Sequence, residues 1–235
     1  MFVDTPPDRM IFSTVYIETV LTDGKEQRGT GFFYFRRVHG SKGHEILVTN
    51  RHVVENAEKI TIFFHERAAG GGPNLGEIGR VTVNSEFWRF HPDERVDIAF
   101  LLMEVLRKDL EDAGGVFLHN LDHQSVPTDA QLRDSFPIED VTFIGYPNGI
   151  YPTFLISASV FPGSSGSPVF LYNQGTYLTR SDGVVMGFRC WLLGILTEFR
   201  YREAKGWLEF DEAPVLRAKV GVQEAIDIGV VFKEE

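Results

Sequence analysis

Gly163-Ser164-Ser165-Gly166-Ser167-Pro168-Val169-Phe170-Leu171-Tyr172 is a glycine-flanked serine turn that runs into an apolar, strand-like segment. Glycines at 163 and 166 let the backbone turn tightly and approach another surface closely, and Pro168 fixes the exit into the strand. A serine hydroxyl is a weak nucleophile at neutral pH. It needs a general base within hydrogen-bond reach and donors aimed at the oxyanion that forms on attack. A turn of this kind can direct the backbone amides of Gly163 and Ser165 into one concavity. Read alone, the stretch also describes an ordinary Gly/Ser/Pro loop.

Two upstream segments supply the missing chemistry. Val48-Thr49-Asn50-Arg51-His52-Val53-Val54 puts a histidine at the end of an apolar run, where a neutral imidazole can take and return a proton. Val96-Asp97-Ile98-Ala99-Phe100-Leu101-Leu102 puts an aspartate at the start of another. A carboxylate in such surroundings must be paired or hydrogen-bonded; orienting the histidine is one way to satisfy it, and capping the strand end with backbone amides is the other. Asp93 and Glu94 lie in the polar turn next door. Of the other six histidines, His39, His44 and His91 sit in glycine- or proline-containing polar surroundings. His119 and His123 are spaced for one helix face and a metal, or for a plain surface pair; no acidic or cysteine pattern accompanies them. Cys190, between Arg189 and Trp191 with no glycine turn, reads as a buried, inert thiol. There is no phosphate-cradling glycine loop and no convincing metal cluster, so no cofactor or metal is expected.

The chain around these segments has 235 residues, 43% hydrophobic and 13% aromatic, enough for a substantial core in one large domain or two small ones. A single cysteine precludes an intrachain disulfide and favours a reducing compartment. The first residues show no basic and apolar leader, and no apolar run approaches the roughly 20 residues of a membrane span. The expectation is a soluble, cytoplasmic protein without a membrane partner. A net charge of −10 repels phosphate backbones and argues against nucleic acid; it keeps the chain soluble and mildly favours basic peptides.

Short β-type runs dominate the chain: Val15–Ile17, Thr30–Phe35, Glu45–Thr49, Lys59–Phe64, Arg80–Val83, Asp97–Leu102, then Val141–Ile144, Thr153–Ile156, Ser167–Tyr172, Gly183–Phe188, Trp191–Thr197 and Ile228–Phe232. This reads as all-β barrels or sandwiches, with the first strand near residue 11. A helical turn is predicted after His52 and a charged helix over Val105–Asp112. Ala69–Asn74 is a loop, Glu104–Asp140 a connection between halves, and Arg200–Lys219 a charged stretch inserted before the last strand.

Taken in order, Thr49-Asn50-Arg51-His52-Val53-Val54, Val96-Asp97-Ile98-Ala99 and Gly163-Ser164-Ser165-Gly166-Ser167-Pro168 resemble the base, acid and nucleophile segments of the trypsin-like serine peptidases. Gly29-Thr30-Gly31-Phe32 and Leu193-Gly194-Ile195-Leu196-Thr197 resemble two further strands of that family, particularly its disulfide-free, bacterial-type Deg/HtrA branch. The resemblance implies two six-stranded antiparallel β-barrels: an N-terminal one over residues 10–115 with His52 and Asp97, and a C-terminal one over 116–235 with Ser165. It implies an oxyanion hole from Gly163, Ser164 and Ser165, and a substrate cleft walled by Ser159 and by Thr197, Glu198 and Phe199, whose edge would pair with a peptide. Secreted members carry an aspartate before the nucleophile that pairs with a new amino terminus; here that position is Ser164, so intrinsic or partner-governed activity is expected. The implied function is a serine endopeptidase acting on a protein or peptide by limited proteolysis, with a regulatory or targeting protein partner. The competing readings are a catalytically silent peptide-binding scaffold and an esterase, whose Gly-x-Ser-x-Gly spacing is missing here.

Overall fold

The computed structural model describes residues 5–137, 139–146, 155–156, 163–209 and 217–232, with the backbone alone for 155–156, 198–209 and 217–232. The chain is all-β, as its short apolar runs predict. Strands β1 (Thr14–Leu21), β2 (Glu26–His39), β3 (Lys42–Thr49), β4 (Ala57–Arg67), β5 (Pro73–Val83), β6 (Trp88–Phe90), β7 (Ala99–Leu102) and β8 (Leu121–Asp122) form one sheet. Its antiparallel order is β5-β4-β1-β2-β3-β7-β6, with β8 added parallel to β2. A second antiparallel sheet takes β9 (Val141–Gly145), β10 (Leu155–Ile156), β11 (Pro168–Thr179), β12 (Gly183–Glu209) and β13 (Arg217–Phe232) in the order β10-β9-β11-β12-β13.

Among the described residues the expected six and six strands appear as eight and five, and the hydrogen-bonded path of neither sheet returns on itself. The unforeseen strands β6 and β8 have three and two residues, too few for alternation to reveal them.

The period of two along a strand explains how the sheets stack. On β2 and β3, Phe33 and Leu47 point into the first sheet's core with Val15, Ile17, Ile60, Ile62, Phe64, Trp88 and Leu101. Their chain neighbours Phe32 and Val48 point the other way, into a second cluster with Met10, Leu121, Ile144, Phe170, Leu192 and Ile195. β2 and β3 are therefore apolar on both faces, and the second face is the floor on which the other sheet packs. Each large side chain so buried contributes about 1.5–3 kcal/mol.

Helix α1 (Pro6–Phe12) was not legible in the reading that began the first strand near residue 11; the strand begins at Thr14. The start signal is nevertheless in the sequence: Thr5 and Asp8 form a capping box ahead of a proline-started turn, and Met10 and Phe12 are buried. Helix α2 (Arg51–Val54) is the turn predicted after His52. A 3-10 turn (Met103–Leu106) and α3 (Arg107–Asp112) stand where the charged helix was predicted. Helix α4 (Asp129–Asp134), capped by Thr128, lies in the connection between sheets. The runs Gly183–Phe188 and Trp191–Thr197 belong to one strand, and the charged stretch from Arg200 continues it: Tyr201 to Glu209 pair with Ala225 to Arg217. Charge does not stop this pairing, because the ladder is made by backbone groups. Among the described residues no helix is long and apolar enough to cross a membrane.

On the hairpin of β11 and β12, Arg189 is 2% exposed. Its guanidinium pairs with Glu139, donates to Asn173 and Ser135, and stacks over Tyr177 and Trp191 at 4.5 and 4.9 Å. This fastens the connection after α4 to the second sheet.

Candidate active site

His52 lies in α2, a helix short enough that its placement depends on tertiary contacts. The carbonyl of Val53 accepts from Thr19 Oγ1 at 2.8 Å, and the carbonyl of His52 from Gln27 Nε2 at 2.7 Å. Asn50, fully buried ahead of the helix, donates from Nδ2 to the carbonyl of Asp97 at 2.8 Å. These bonds set the histidine backbone against the loop that carries the aspartate.

Asp97, just ahead of β7, clamps His52 with both carboxylate oxygens. Oδ1 accepts from the His52 amide at 2.9 Å, and Oδ2 lies 2.6 Å from His52 Nδ1. A carboxylate facing Nδ1 fixes the proton there in the neutral ring and leaves the Nε2 lone pair as the base. Oδ2 also accepts from Thr197 Oγ1 at 2.5 Å. Burial alone would push the Asp97 carboxyl up, but the donors from the His52 ring, Thr197 and the His52 amide outweigh it and hold the group below the usual aspartate range. Asp97 is thus an anion with both oxygens hydrogen-bonded. The His52 side chain is 42% exposed, so its outer edge is open to a reacting group.

Thr197 reaches Asp97 because of a local irregularity. Leu196 pairs with Val231 and Glu198 with Val230, so Thr197 falls at a register shift between them. Such bulges re-aim a side chain. The reading that placed Thr197 in the substrate wall missed this, since nothing in the sequence reports a register shift. Its hydroxyl is committed to Asp97.

Ser165 is half-buried in a turn closed by Ser167 N–H donating to Ser164 O at 3.1 Å. Gly163 and Gly166 have φ of +98° and +88°, values that strain any residue with a Cβ. At Gly166 a Cβ would also overlap the carbonyl oxygen of Thr30 and crowd Thr49 Oγ1, so the turn lies flat against β2 and β3. Among the described residues no hydrogen bond joins Ser165 to His52. Ser164, where secreted members of the resembled family have aspartate, is fully buried. Ser159 lies outside the described residues. Glu198 and Phe199 are described by backbone only; they pair with Val230 and Gly229 on β13, and β11 pairs with β12 only as far as Ile195.

The other candidates lie elsewhere. His119 is half-buried against Phe12 and Phe117, with ring centroids 6.4 and 5.4 Å away, and among the described residues no group of three His, Cys, Asp or Glu could hold a metal ion. Cys190 is half-buried and its thiol is pushed up to about 11 by burial, which keeps it protonated and unreactive.

No protein-family model and no curated protein matches the chain. Solved structures similar to it include chymotrypsin-fold serine proteases. They include a protease from M. tuberculosis in its active form (Rv3671c), 17% identical, with 84% of this chain and 75% of that one covered and a TM-score of 0.41. The thermostable serine protease AL20 from an extremophilic microorganism is 13% identical, with 83% and 88% covered and a TM-score of 0.42. The HtrA-type protease AlgW with a tripeptide is 16% identical, with 80% and 52% covered and a TM-score of 0.34; the chain spans about half of that protein. At these TM-scores the roles of individual residues rest on the contacts described above.

Proposed function

We propose that this chain is a serine endopeptidase. The observation that carries the reading is the clamp of Asp97 on His52, through ring and amide together, on the sheet against which the Ser165 turn is pressed. In this reading Ser165 Oγ attacks the peptide carbonyl carbon while His52 Nε2 accepts its proton. The negative charge that develops on the carbonyl oxygen is met by amides of Gly163, Ser164 and Ser165. The C–N bond then breaks, the proton on Nε2 goes to the departing amine, and an ester to Ser165 remains. Water, deprotonated by the same Nε2, attacks that ester, and the proton returns to Ser165 as the acid leaves.

The halves over 10–115 and 116–235 divide the labour, the first supplying base and acid and the second the nucleophile. The β12 edge beyond Ile195, at Glu198 and Phe199, takes the substrate backbone as an added strand. The net charge of −10 mildly favours basic peptides, and the reading is limited cleavage of a specific protein with a targeting partner.

Labelling with a fluorophosphonate tests the reading. Wild type is expected to label at one serine and Ser165→Ala not at all, with Ser165→Ala or His52→Ala lowering kcat by about 10⁴–10⁶; no labelling of wild type, partner substrate included, overturns it. That no hydrogen bond joins Ser165 to His52 among the described residues favours one other reading, a silent scaffold. It would bind peptide equally well with or without the serine hydroxyl and cleave nothing.

A further inference from the structure

Thr30, on β2, is fully buried, and four hydrogen bonds meet on it. Its amide donates to the Ser165 carbonyl at 2.7 Å. Its hydroxyl donates to the Gly163 carbonyl at 3.0 Å and accepts from the Tyr146 amide at 3.1 Å. Its carbonyl accepts from Thr49 Oγ1 at 2.7 Å. A hydroxyl offers one donor and two acceptor sites, so Oγ1 works in both directions at once. Tyr146 is where the chain leaves β9, and Gly163 is where it enters the serine turn, so one side chain holds the entry and exit of the stretch between them.

The bonds to the turn fall in an informative place. Peptide units are planar, and each residue adds only two soft torsions. Thr30 ties the 163–164 plane through the Gly163 oxygen and the 165–166 plane through the Ser165 oxygen. Between them lies the 164–165 plane, which carries the Ser165 amide. With a fixed plane on either side, the direction of that N–H and of the Ser165 Cα–Cβ bond is set by β2. The β-branch of threonine narrows χ1, which holds Oγ1 on target. Thr49 extends the same chain of bonds to the strand that ends just before His52. The base and the proposed nucleophile thereby share one frame, although 113 positions separate them in the sequence (165 − 52 = 113).

We propose that Thr30 is a positioning residue for Ser165, acting through the Gly163 and Ser165 carbonyls and never touching substrate. The inference rests on the peptidase reading given above. Thr30→Val keeps shape and branching but strips both roles from Oγ1, while Thr30→Ser keeps the hydroxyl. Misplacing reacting groups by about 1 Å costs about 100-fold. Thr30→Val is therefore expected to lower kcat about 30- to 100-fold and the fluorophosphonate labelling rate in step, with KM within about threefold. Thr30→Ser should stay within about fivefold of wild type on the same scale. Assays are run well below each variant's Tm and scaled to the folded fraction, because the Tyr146 amide and Gly163 carbonyl lose a buried partner in Thr30→Val.

A lowered Tm with unchanged kcat per folded molecule overturns the proposal and makes Thr30 a structural residue only. If Thr30→Val does not fold, Thr30→Cys, with a serine-sized side chain and a weak donor, carries the same expectation; failure of both to fold beside a folded Thr30→Ser also overturns it. The underlying reading fails separately, in a wild type that neither labels nor cleaves.

Discussion

At the scale of single residues, Asp97 is the most constrained group in the site. Two donors on Oδ2 and one on Oδ1 hold it ionised. Asp97→Asn places an amide opposite Nδ1, favours the wrong tautomer of His52, and is expected to lower kcat by about 10⁴. The sign of its pH effect follows from its depressed folded-state pKa. The stabilisation is present above the ordinary aspartate value of about 3.9 and is lost as pH falls through the lower folded-state value. Acid denaturation of wild type against Asp97→Asn should show a gap in stability at pH 6 that closes steadily below about pH 4; a constant gap would deny the linkage. Gly166→Ala meets both a left-handed backbone and the oxygen of Thr30, so labelling at Ser165 should fall by at least about tenfold together with Tm. Ser165, His52 and Asp97 could be picked out by residue type and by their places at the ends of apolar runs. The roles of Thr30 and Thr197 could not, even though Thr197 was placed in the substrate wall, because they come from a neighbouring sheet and a register shift.

At the scale of elements, the strands were legible and their partners were not. Alternation at Val81 and Val83 on β5 marks a strand and its faces without saying which strand lies alongside. The continuity of β12 was hidden by Arg200–Lys219, where charge imitates a loop. The hairpin of β11 and β12 carries its own anchor in Arg189. Removing one partner from a buried ion pair leaves the other charge uncompensated. Glu139→Ala is expected to cost about 3 kcal/mol in urea unfolding while kcat per folded molecule stays at the wild-type value, since this pair lies outside the proposed site. A loss below about 0.5 kcal/mol would place the pair with weak surface bridges.

At the scale of the whole molecule, the contacts that assemble the site are also those that join the two sheets. Thr30 to Gly163 and Ser165, and Asp97 to Thr197, cross the seam filled by Phe32, Ile144, Phe170 and Ile195. Phe170→Ala opens that seam and is expected to cost about 3–5 kcal/mol. Under increasing denaturant, fluorophosphonate labelling and tryptophan fluorescence should then be lost at one midpoint in both wild type and variant, as a single cooperative unit requires. Labelling lost well before fluorescence would mean that the sheets part first. An all-β architecture was foreseeable from the density of short runs. The paths of eight and five strands among the described residues were not, because they depend on which edges meet, and β5 and β6 carry no signal of that in their side chains.

The serine turn flattened against Thr30 and Thr49 has a bearing on inheritance. Gly166 owes its identity to residues encoded far upstream, and those residues in turn need a partner without a side chain. The front and back of this chain are therefore matched halves, not exchangeable cassettes. A chimaera that crosses over between β7 and β9 would regain a working crevice only if its new front half brought an equally close-fitting pair of strands.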